Sequence, residues 1–201
     1  YALAFAVNPR GPDHLFTEVL AEFGGTPTRL ALVKKITGDE KWANSHLTEY
    51  RAELVRYHED VYAVTDSMGF CAFTSTAAYA VHPKNMAEMY TAATGTRVNE
   101  QDIMMAGRRI VTLEKSFNVR EGIDRKHDDL PWRLMNEPAQ PSTGKVFMNS
   151  KEELDGMLDR YYALQEWDNK TSWPYEKTLV KVGLKDVANE LGKMKRLPKR
   201  T

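Results

Sequence analysis

The sequence predicts an all-α protein, an irregular assembly of several helices. In most of the long segments, apolar residues recur at steps of three and four, which is the spacing of one helix face. Residues typical of helix starts and stops flank these segments, and little of the chain shows the alternation typical of strands. The 201 residues are 42% hydrophobic, so the chain is long enough to bury a substantial core.

The composition excludes several classes of function. The 28 basic and 28 acidic side chains cancel, so no overall charge draws the chain toward nucleic acid or an anionic membrane. No apolar run is long enough to cross a bilayer. One cysteine cannot form an internal disulfide, which favours a reducing compartment. We therefore expect a cytoplasmic protein with no nucleic-acid or membrane partner.

The first third of the chain is the least certain in secondary structure. Residues 1–7 are apolar and fit either a buried strand or the end of a helix, and they begin abruptly, as in a piece of a longer protein. A helix is predicted from Pro12 until Gly24 and Gly25 stop it, with His14 in its first turn. The amphipathic residues 30–36 fit a helix or a strand.

A long amphipathic helix is predicted over residues 47–64, and it leads the chain to Asp66. Its opposite face is charged, and we expect that face, including His58, to be solvated, as we do for His46. The predicted core positions follow the helical spacing over five turns: Leu47, Tyr50, Leu54, Tyr57, Val61 and Val64.

Further helices are predicted over residues 83–94, from Asn99 to about residue 117, and from Ser150 to about residue 165. Asn99 and Ser150 are N-cap residues, supported by acidic residues three positions later. Residues 118–141 are charged and aperiodic, which is typical of a functional loop or a seam between domains. Two short helices, near 175–182 and 185–192, precede a basic tail. The apolar residues predicted to form core stripes are Met86, Met89, Tyr90, Ala93, Ile103, Ala106, Ile110, Leu113 and Phe117.

The hexapeptide Asp66-Ser-Met-Gly-Phe-Cys71 carries the strongest chemical signal. A carboxylate can accept paired hydrogen bonds from an amino-heterocycle, a glycine lets backbone approach a ligand, and a thiolate can ligate iron. The alternative is that Cys71 is a small buried hydrophobe. His14 could lie beside a ligand, because a helix N-terminus lowers the pKa of an imidazole and offers free amides to anions; alternatively, it only caps or packs.

Several segments, in order, resemble the tungsten-containing aldehyde:ferredoxin oxidoreductase family. Asp66 to Cys71 is similar to the family's Asp-x-x-Gly-Leu-Cys motif, with Phe70 in place of leucine, and Arg10 to His14 is similar to its Arg-Gly-x-x-His segment. The other similar segments are Gly107-Arg-Arg-Ile, Phe117-Asn-Val-Arg-Glu-Gly, Arg125-Lys, Asp129-Leu-Pro, Met157-Leu-Asp-Arg-Tyr-Tyr and Trp167-Asp.

The resemblance implies the C-terminal helical domains of a larger enzyme, with an N-terminal sheet domain that these residues lack. It implies a helical cofactor-binding domain over residues 1–120 and a helical extension over residues 121–201. In that family, two pterins hold one tungsten or molybdenum, a [4Fe-4S] cluster lies nearby, and an aldehyde is oxidised to a carboxylic acid. Electrons pass to ferredoxin. The partners implied are thus the N-terminal domain, ferredoxin and a small aldehyde, and homo-oligomerisation stays open.

The resemblance also assigns roles residue by residue. Asp66 would bind a pterin, and the turn formed by Ser67, Met68, Gly69 and Phe70 would wrap it. Cys71 would be the fourth ligand of the iron–sulfur cluster, and His14 would be the catalytic histidine near the metal. Phe16 stands where many members have a basic residue, so that pterin contact is not transferred. The alternatives are the same cofactors acting on another substrate, such as a thioester or aromatic reduction, and a helical scaffold without cofactors.

Overall fold

The computed structural model describes residues 1–14, 16, 26–77, 79–139 and 148–199, and these residues are mostly helical, with no strand among them. The β-bridge between Trp167 and Pro174 belongs to no strand. The predicted all-α class is therefore confirmed. None of the described helices is both long and apolar enough to cross a membrane. The helices are α1 Ala2–Val7, α2 Pro27–Thr37, α3 Arg51–Ser67, α4 Pro83–Thr94, α5 Glu100–Arg120, α6 Trp132–Asn136, α7 Lys151–Gln165, α8 Glu176–Lys181 and α9 Lys185–Lys193.

The helix ends follow the local capping chemistry that the sequence indicates. Asn99 Oδ1 accepts hydrogen bonds from the amides of Gln101 and Asp102, and Asp102 Oδ2 accepts one from the Asn99 amide. This reciprocal pair satisfies amide groups at the start of α5 that have no partner within the helix. Ser150 Oγ accepts the Glu153 amide at the start of α7. The two undecided segments, residues 1–7 and 30–36, form α1 and the larger part of α2.

Helices α3 and α5 form the centre of the molecule, and the other elements pack around them. The largest apolar cluster joins α1, α3 and α7 through residues such as Leu3, Leu54 and Leu158. A second cluster joins α3 with α4 and α5. A third packs Val119, at the end of α5, against α8 and α9. The largest cluster includes residues from both 1–120 and 121–201, and the domain boundary near residue 120 stays a prediction.

The charged face of α3 is buried, so the prediction that it is solvated was wrong. His58 is 1% exposed, Glu59 0% and Asp60 5%. The reason is that α3 contacts α1 and α2 as well as α5 and α7, so it has no side left for solvent along its middle. His46, by contrast, is exposed as predicted.

The apolar stripes predicted on α4 and α5 are only half correct. Met86 and Ile103 are buried, but Met89 is 47% exposed, Leu113 44% and Phe117 54%. Helix α5 instead turns a narrow, partly polar face toward α3. A Cβ placed on Gly107 would lie 2.2 Å from the Asp60 carbonyl oxygen, so the two backbones touch there. Only glycine allows that approach.

Three other segments differ from the sequence expectation. The helix predicted from residue 47 begins at Arg51, and Leu47, predicted to lie in the core, is 36% exposed. Pro12, Asp13 and His14 lie in a bend and a turn rather than in a helix, and residues 15 and 17–25 of the predicted helix lie outside the described residues. Less of the charged segment 118–141 forms a loop than the sequence predicts. Helix α5 extends through Arg120, and a 3-10 turn at Arg125–His127 and helix α6 follow.

Candidate functional site

The hexapeptide Asp66 to Cys71 forms the C-terminal turn of α3 and the exit from it. The Gly69 amide donates to the Asp66 carbonyl at 3.1 Å, and the Phe70 amide donates to the Thr65 carbonyl at 3.0 Å. Gly69 has a φ of 71°, in the left-handed region that glycine enters without strain. The turn therefore reverses the chain sharply and separates Asp66 from Cys71 by a fixed backbone geometry.

Side chains of this turn divide between the core and the surface. Met68 and Phe70 are partly buried and pack on the cluster that contains Val64 and Met86. Asp66, Ser67, Gly69 and Cys71 are exposed. The apolar members thus anchor the turn, while the carboxylate and the thiol, the two groups that could hold a cofactor, point away from the core.

The segment after Cys71 is fixed to α3 by hydroxyl groups. Thr65 Oγ1 donates to Ser75 Oγ at 3.0 Å inside the protein. The Cys71 carbonyl accepts the Thr74 amide at 2.9 Å and the Thr74 hydroxyl at 2.7 Å. Both sides of the turn are therefore held, which suits a site whose ligands must keep a set separation.

Neither the Asp66 carboxyl nor the Cys71 thiol stabilises the part of the chain that the structure describes. The Asp66 carboxyl forms no hydrogen bond or ion pair there, and Cys71 is a free, exposed thiol. The alternative that Cys71 is a small buried hydrophobe is thus wrong. No group of three or more His, Cys, Asp or Glu side chains among the described residues could hold a metal alone. One thiol and one carboxyl could supply only part of a ligand set, because a [4Fe-4S] cluster takes four thiolates.

The segment from Arg10 to His14 is a loop tied to α5. The Asn118 side-chain amide donates to the Pro9 carbonyl at 2.9 Å, and Asn8 bonds the backbone at Arg10 and Asp13. Arg10 forms an ion pair with Asp13 at 3.2 Å and lies over the buried Phe16 ring. His14 is exposed.

Glu114 on α5 connects the two motifs electrostatically. Burial raises the pKa of the Glu114 carboxyl, while the charge of Arg10 lowers it and the charge of Asp66 raises it. The charges of Arg10 and Asp66, which are far apart in the sequence, therefore both act on the Glu114 carboxyl. Sequence reasoning missed Glu114, since it looks like one more polar residue beside the apolar stripe of α5.

A buried polar network that joins α3, α5 and α7 was also missed. Arg108 Nη2 donates to Asp60 Oδ2 and to the Arg56 carbonyl, and its Nη1 donates to Gln165 Oε1. Glu59 Oε2 accepts the Tyr161 hydroxyl at 2.7 Å. Gly107, which permits the close contact of α3 and α5, is the sequence signal that could have indicated this packing.

A second buried pair supports the far side of the same helices. Lys115 donates to Asp128 Oδ2 at 2.8 Å, and the Tyr162 hydroxyl donates to the same oxygen at 2.6 Å. Arg125 forms ion pairs with Asp155 and Asp159 of α7. The charged segment after α5 therefore connects α5 to α7.

Comparisons with known proteins identify the family. A family model described as aldehyde ferredoxin oxidoreductase, domains 2 and 3, matches residues 1–184. The chain is 29% identical over 191 residues to a tungsten-containing aldehyde ferredoxin oxidoreductase of Pyrococcus abyssi, covering 92% of this chain and 28% of that protein. It is 27% identical over 180 residues to the Pyrococcus furiosus protein of the same name, covering 88% and 27%. The chain thus spans between a quarter and a third of these relatives.

A solved structure shares the fold. The active-site complex BamBC of benzoyl coenzyme A reductase, in complex with 1,5-dienoyl-CoA, aligns with a TM-score of 0.68 and 22% identity over 92% of this chain and 30% of that one. At this identity the likeness concerns the fold. Together with the match over residues 1–184, it leads to one conclusion: the chain belongs to the aldehyde ferredoxin oxidoreductase family, in its domains 2 and 3.

Proposed function

We propose that this chain is the helical, cofactor-binding part of a tungsten or molybdenum pterin oxidoreductase that oxidises an aldehyde to a carboxylic acid and passes electrons to ferredoxin. The observation that carries the proposal is the Asp66 to Cys71 turn, which presents an unpaired carboxylate and a free thiol at one exposed edge. The family match over residues 1–184 supports it. The rest of the enzyme, including a sheet domain and three more cluster thiolates, would complete the site.

Each residue has a proposed role that its surroundings permit. The Asp66 carboxylate would accept hydrogen bonds from the pterin ring, and the backbone from Ser67 to Phe70 would follow the edge of that ring. The Cys71 thiolate would ligate the [4Fe-4S] cluster. When bound, the pterin-held metal supplies the two-electron chemistry, while the protein supplies position and electrostatics.

His14 is proposed as the catalytic histidine. It is exposed at the end of the loop that Asn118 ties to α5, so its imidazole is free to face a substrate. A histidine there could hold or accept a proton as hydrated aldehyde is converted to acid. Arg10 forms an ion pair with Asp13, which would help to fix the loop that presents His14.

The surface around the site also supports a partner domain. Phe73, two residues after Cys71, is 69% exposed, and Leu113 and Phe117 on either side of Glu114 are 44% and 54% exposed. Exposed aromatic and aliphatic side chains near unpaired polar groups are typical of a surface that another body covers. A reducing location such as the cytoplasm suits an iron–sulfur enzyme of this kind.

The test is the metal content of the complete enzyme prepared without oxygen. We expect tungsten or molybdenum together with iron and acid-labile sulfide in the wild type. Cys71→Ala should lower the iron content, whereas Thr96→Ala, at an exposed position off the proposed ligand set, should retain it. Wild-type enzyme without either metal, or Cys71→Ala with unchanged iron, would leave the scaffold alternative as the better account.

The His14→Ala variant distinguishes a role of His14 in catalysis from a role in cofactor binding. The variant should keep its metal and cluster but lose most of its turnover, because only the proton-handling group has been removed. His46→Ala, a histidine at an exposed position outside the proposed site, is the control and should keep the wild-type turnover. Turnover equal to the wild type in His14→Ala would remove His14 from the active site.

The second candidate is reduction of an aromatic or carboxylic thioester with the same cofactors. The observation that favours it is the shared fold with the benzoyl coenzyme A reductase complex. A substrate panel on the complete enzyme distinguishes the two reactions: aldehydes with oxidised ferredoxin on one side, and aryl-CoA thioesters with a low-potential reductant on the other.

A further inference from the structure

Three carboxyl groups where α3 packs against α5 each have one oxygen with no hydrogen-bond partner among the described residues. The atoms are Glu59 Oε1, Asp60 Oδ1 and Glu114 Oε2. Glu59 is 0% exposed and Asp60 5%. Buried polar atoms almost always have a partner, and buried water commonly fills the positions that the protein leaves open. These three oxygens are therefore expected sites of buried water.

The surroundings of Glu59 favour the protonated form of its carboxyl group. Both of its hydrogen-bond donors, the Tyr161 hydroxyl at 2.7 Å and the Gln165 amide at 3.3 Å, are neutral, and both reach Oε2. The nearby guanidinium of Arg108 donates instead to Asp60. A fully buried carboxyl group without a bonded cation favours its neutral form. Burial accordingly raises the pKa of Glu59 to about 8, with Asp60 and Glu114 adding to the rise and Arg108 opposing it.

These groups extend from the proposed cofactor site toward a surface groove. Glu114 interacts electrostatically with Asp66 at one end and with Glu59 toward the interior. Asp60, next to Glu59, lines a groove of about 310 Å³ that also involves Glu53. The three carboxyl groups thus connect the Asp66 end of α3 with this groove.

We propose that Glu114, Glu59 and Asp60 form a water-bridged proton path that leads from the Asp66 face to this groove. The proposal rests on the proposed function. Oxidation of an aldehyde, with water as the source of the added oxygen, gives a carboxylic acid, two protons and two electrons. The bound metal and cluster would supply the route for the electrons to ferredoxin, and the protons must leave. In each transfer a carboxyl group gains a proton on one oxygen and releases one to the next water, so only O–H bonds are broken and formed.

Glu59→Gln and Glu114→Gln in the complete enzyme test the path. Glutamine keeps the size and the hydrogen-bond acceptor of glutamate but cannot carry the proton. Each variant should lose at least tenfold in kcat and show a larger solvent isotope effect, with KM, tungsten or molybdenum and iron unchanged. Glu88→Gln on the exposed side of α4 is the matched control and should behave as the wild type.

An infrared measurement gives a readout that does not depend on activity. At pH 7 the wild type should show the carbonyl stretch of a protonated carboxylic acid, and Glu59→Gln should lack that band. If the wild type oxidises aldehydes but both glutamine variants match it in turnover, or the band is unchanged in Glu59→Gln, the path is wrong. If the wild type shows the band but oxidises no aldehyde, the proposed function is wrong. The proposed proton path is then wrong as well, because it depends on that reaction. Should Glu59→Gln fail to fold, Glu114→Gln still decides the turnover test.

Discussion

The middle and the end of α3 are both polar, but they are used in opposite ways. In the middle, Glu59 and Asp60 are buried and hydrogen-bonded to α5 and α7. At the end, Asp66 and Cys71 are exposed and have no partner among the described side chains. The same residue types therefore serve packing in one place and are left exposed in the other.

This comparison shows that neighbours, rather than residue type, decide what a titratable group does. Burial raises the pKa of Asp60 to about 6 and lowers that of His58 to about 4, so the interior of α3 favours neutral forms. The end of the helix has no such environment. The following predictions test the contrast, beginning with the largest expected effect.

Replacing Arg108 by methionine should destabilise the α3–α5 contact most. The change removes the cation bonded to Asp60 and leaves a buried carboxyl without a partner, which costs about 3–5 kcal/mol. Arg133→Met is the matched control, because both side chains of its ion pair with Glu137 are exposed, and such a pair contributes about 0–1 kcal/mol. Hydrogen exchange of the α3 and α5 amides measures both. Equal effects in the two variants would contradict the contrast.

Gly107→Ala should be the next most damaging change. Its Cβ would lie 2.2 Å from the Asp60 carbonyl oxygen, so α3 and α5 must move apart, at a cost of about 1–3 kcal/mol or more. Gly156→Ala, in α7 with open space around it, should instead stabilise its helix by about 0.5–1 kcal/mol. Thermal unfolding and local hydrogen exchange distinguish the two signs, and a harmless Gly107→Ala would mean that the backbones do not touch.

The raised pKa of Glu59 predicts how the stability of the folded protein changes with pH. Its pKa in the folded protein is about 8, above the ordinary value of 4.5, so between these values the folded state binds more protons than the unfolded state. Stability should therefore fall as pH rises from about 4.5 to 8, by at most about 1.4 kcal/mol per pH unit from this group. Glu59→Gln should remove that slope. A slope unchanged in Glu59→Gln would show that another group causes it.

Asp66→Asn should have the smallest effect on stability. The carboxyl is exposed and unpaired within the described chain, so in cofactor-free protein the change should stay within about 0.5 kcal/mol. In the complete enzyme, the same variant should lose pterin and metal, as measured by metal analysis. A large loss of stability without cofactor would mean that Asp66 is structural after all.

The parts of the fold that depend on local chemistry were predictable. The Asn99 cap, the Ser150 cap and the helices they begin follow from side chains within four residues of each other. The Asp66 to Cys71 turn was singled out because its residue types and spacing suit a ligand, and its carboxyl and thiol have no partner among the described residues. Their proposed roles, and that of His14, stay predictions.

The amphipathic pattern did not predict which residues are buried where a helix is covered on more than one side. On α3 the charged face is buried by α5 and α7, and on α5 part of the apolar stripe faces out. Periodicity reports which residues share a face, but it does not report how many other elements cover that face. Glu114 was missed for the same reason, since its relation to Asp66 and Arg10 exists only after α3, α5 and the loop before His14 come together.

The sequence by itself therefore determined the helical class, most helix boundaries, the family and the turn from Asp66 to Cys71, because these depend on neighbouring residues or on ordered motifs. Only the tertiary structure decided which polar groups are buried, that Gly107 allows α3 and α5 to touch, and that Glu59, Asp60 and Glu114 lie along one contact. The physical reason is that burial and pKa depend on groups distant in sequence, whose positions are fixed by the packing of the helices.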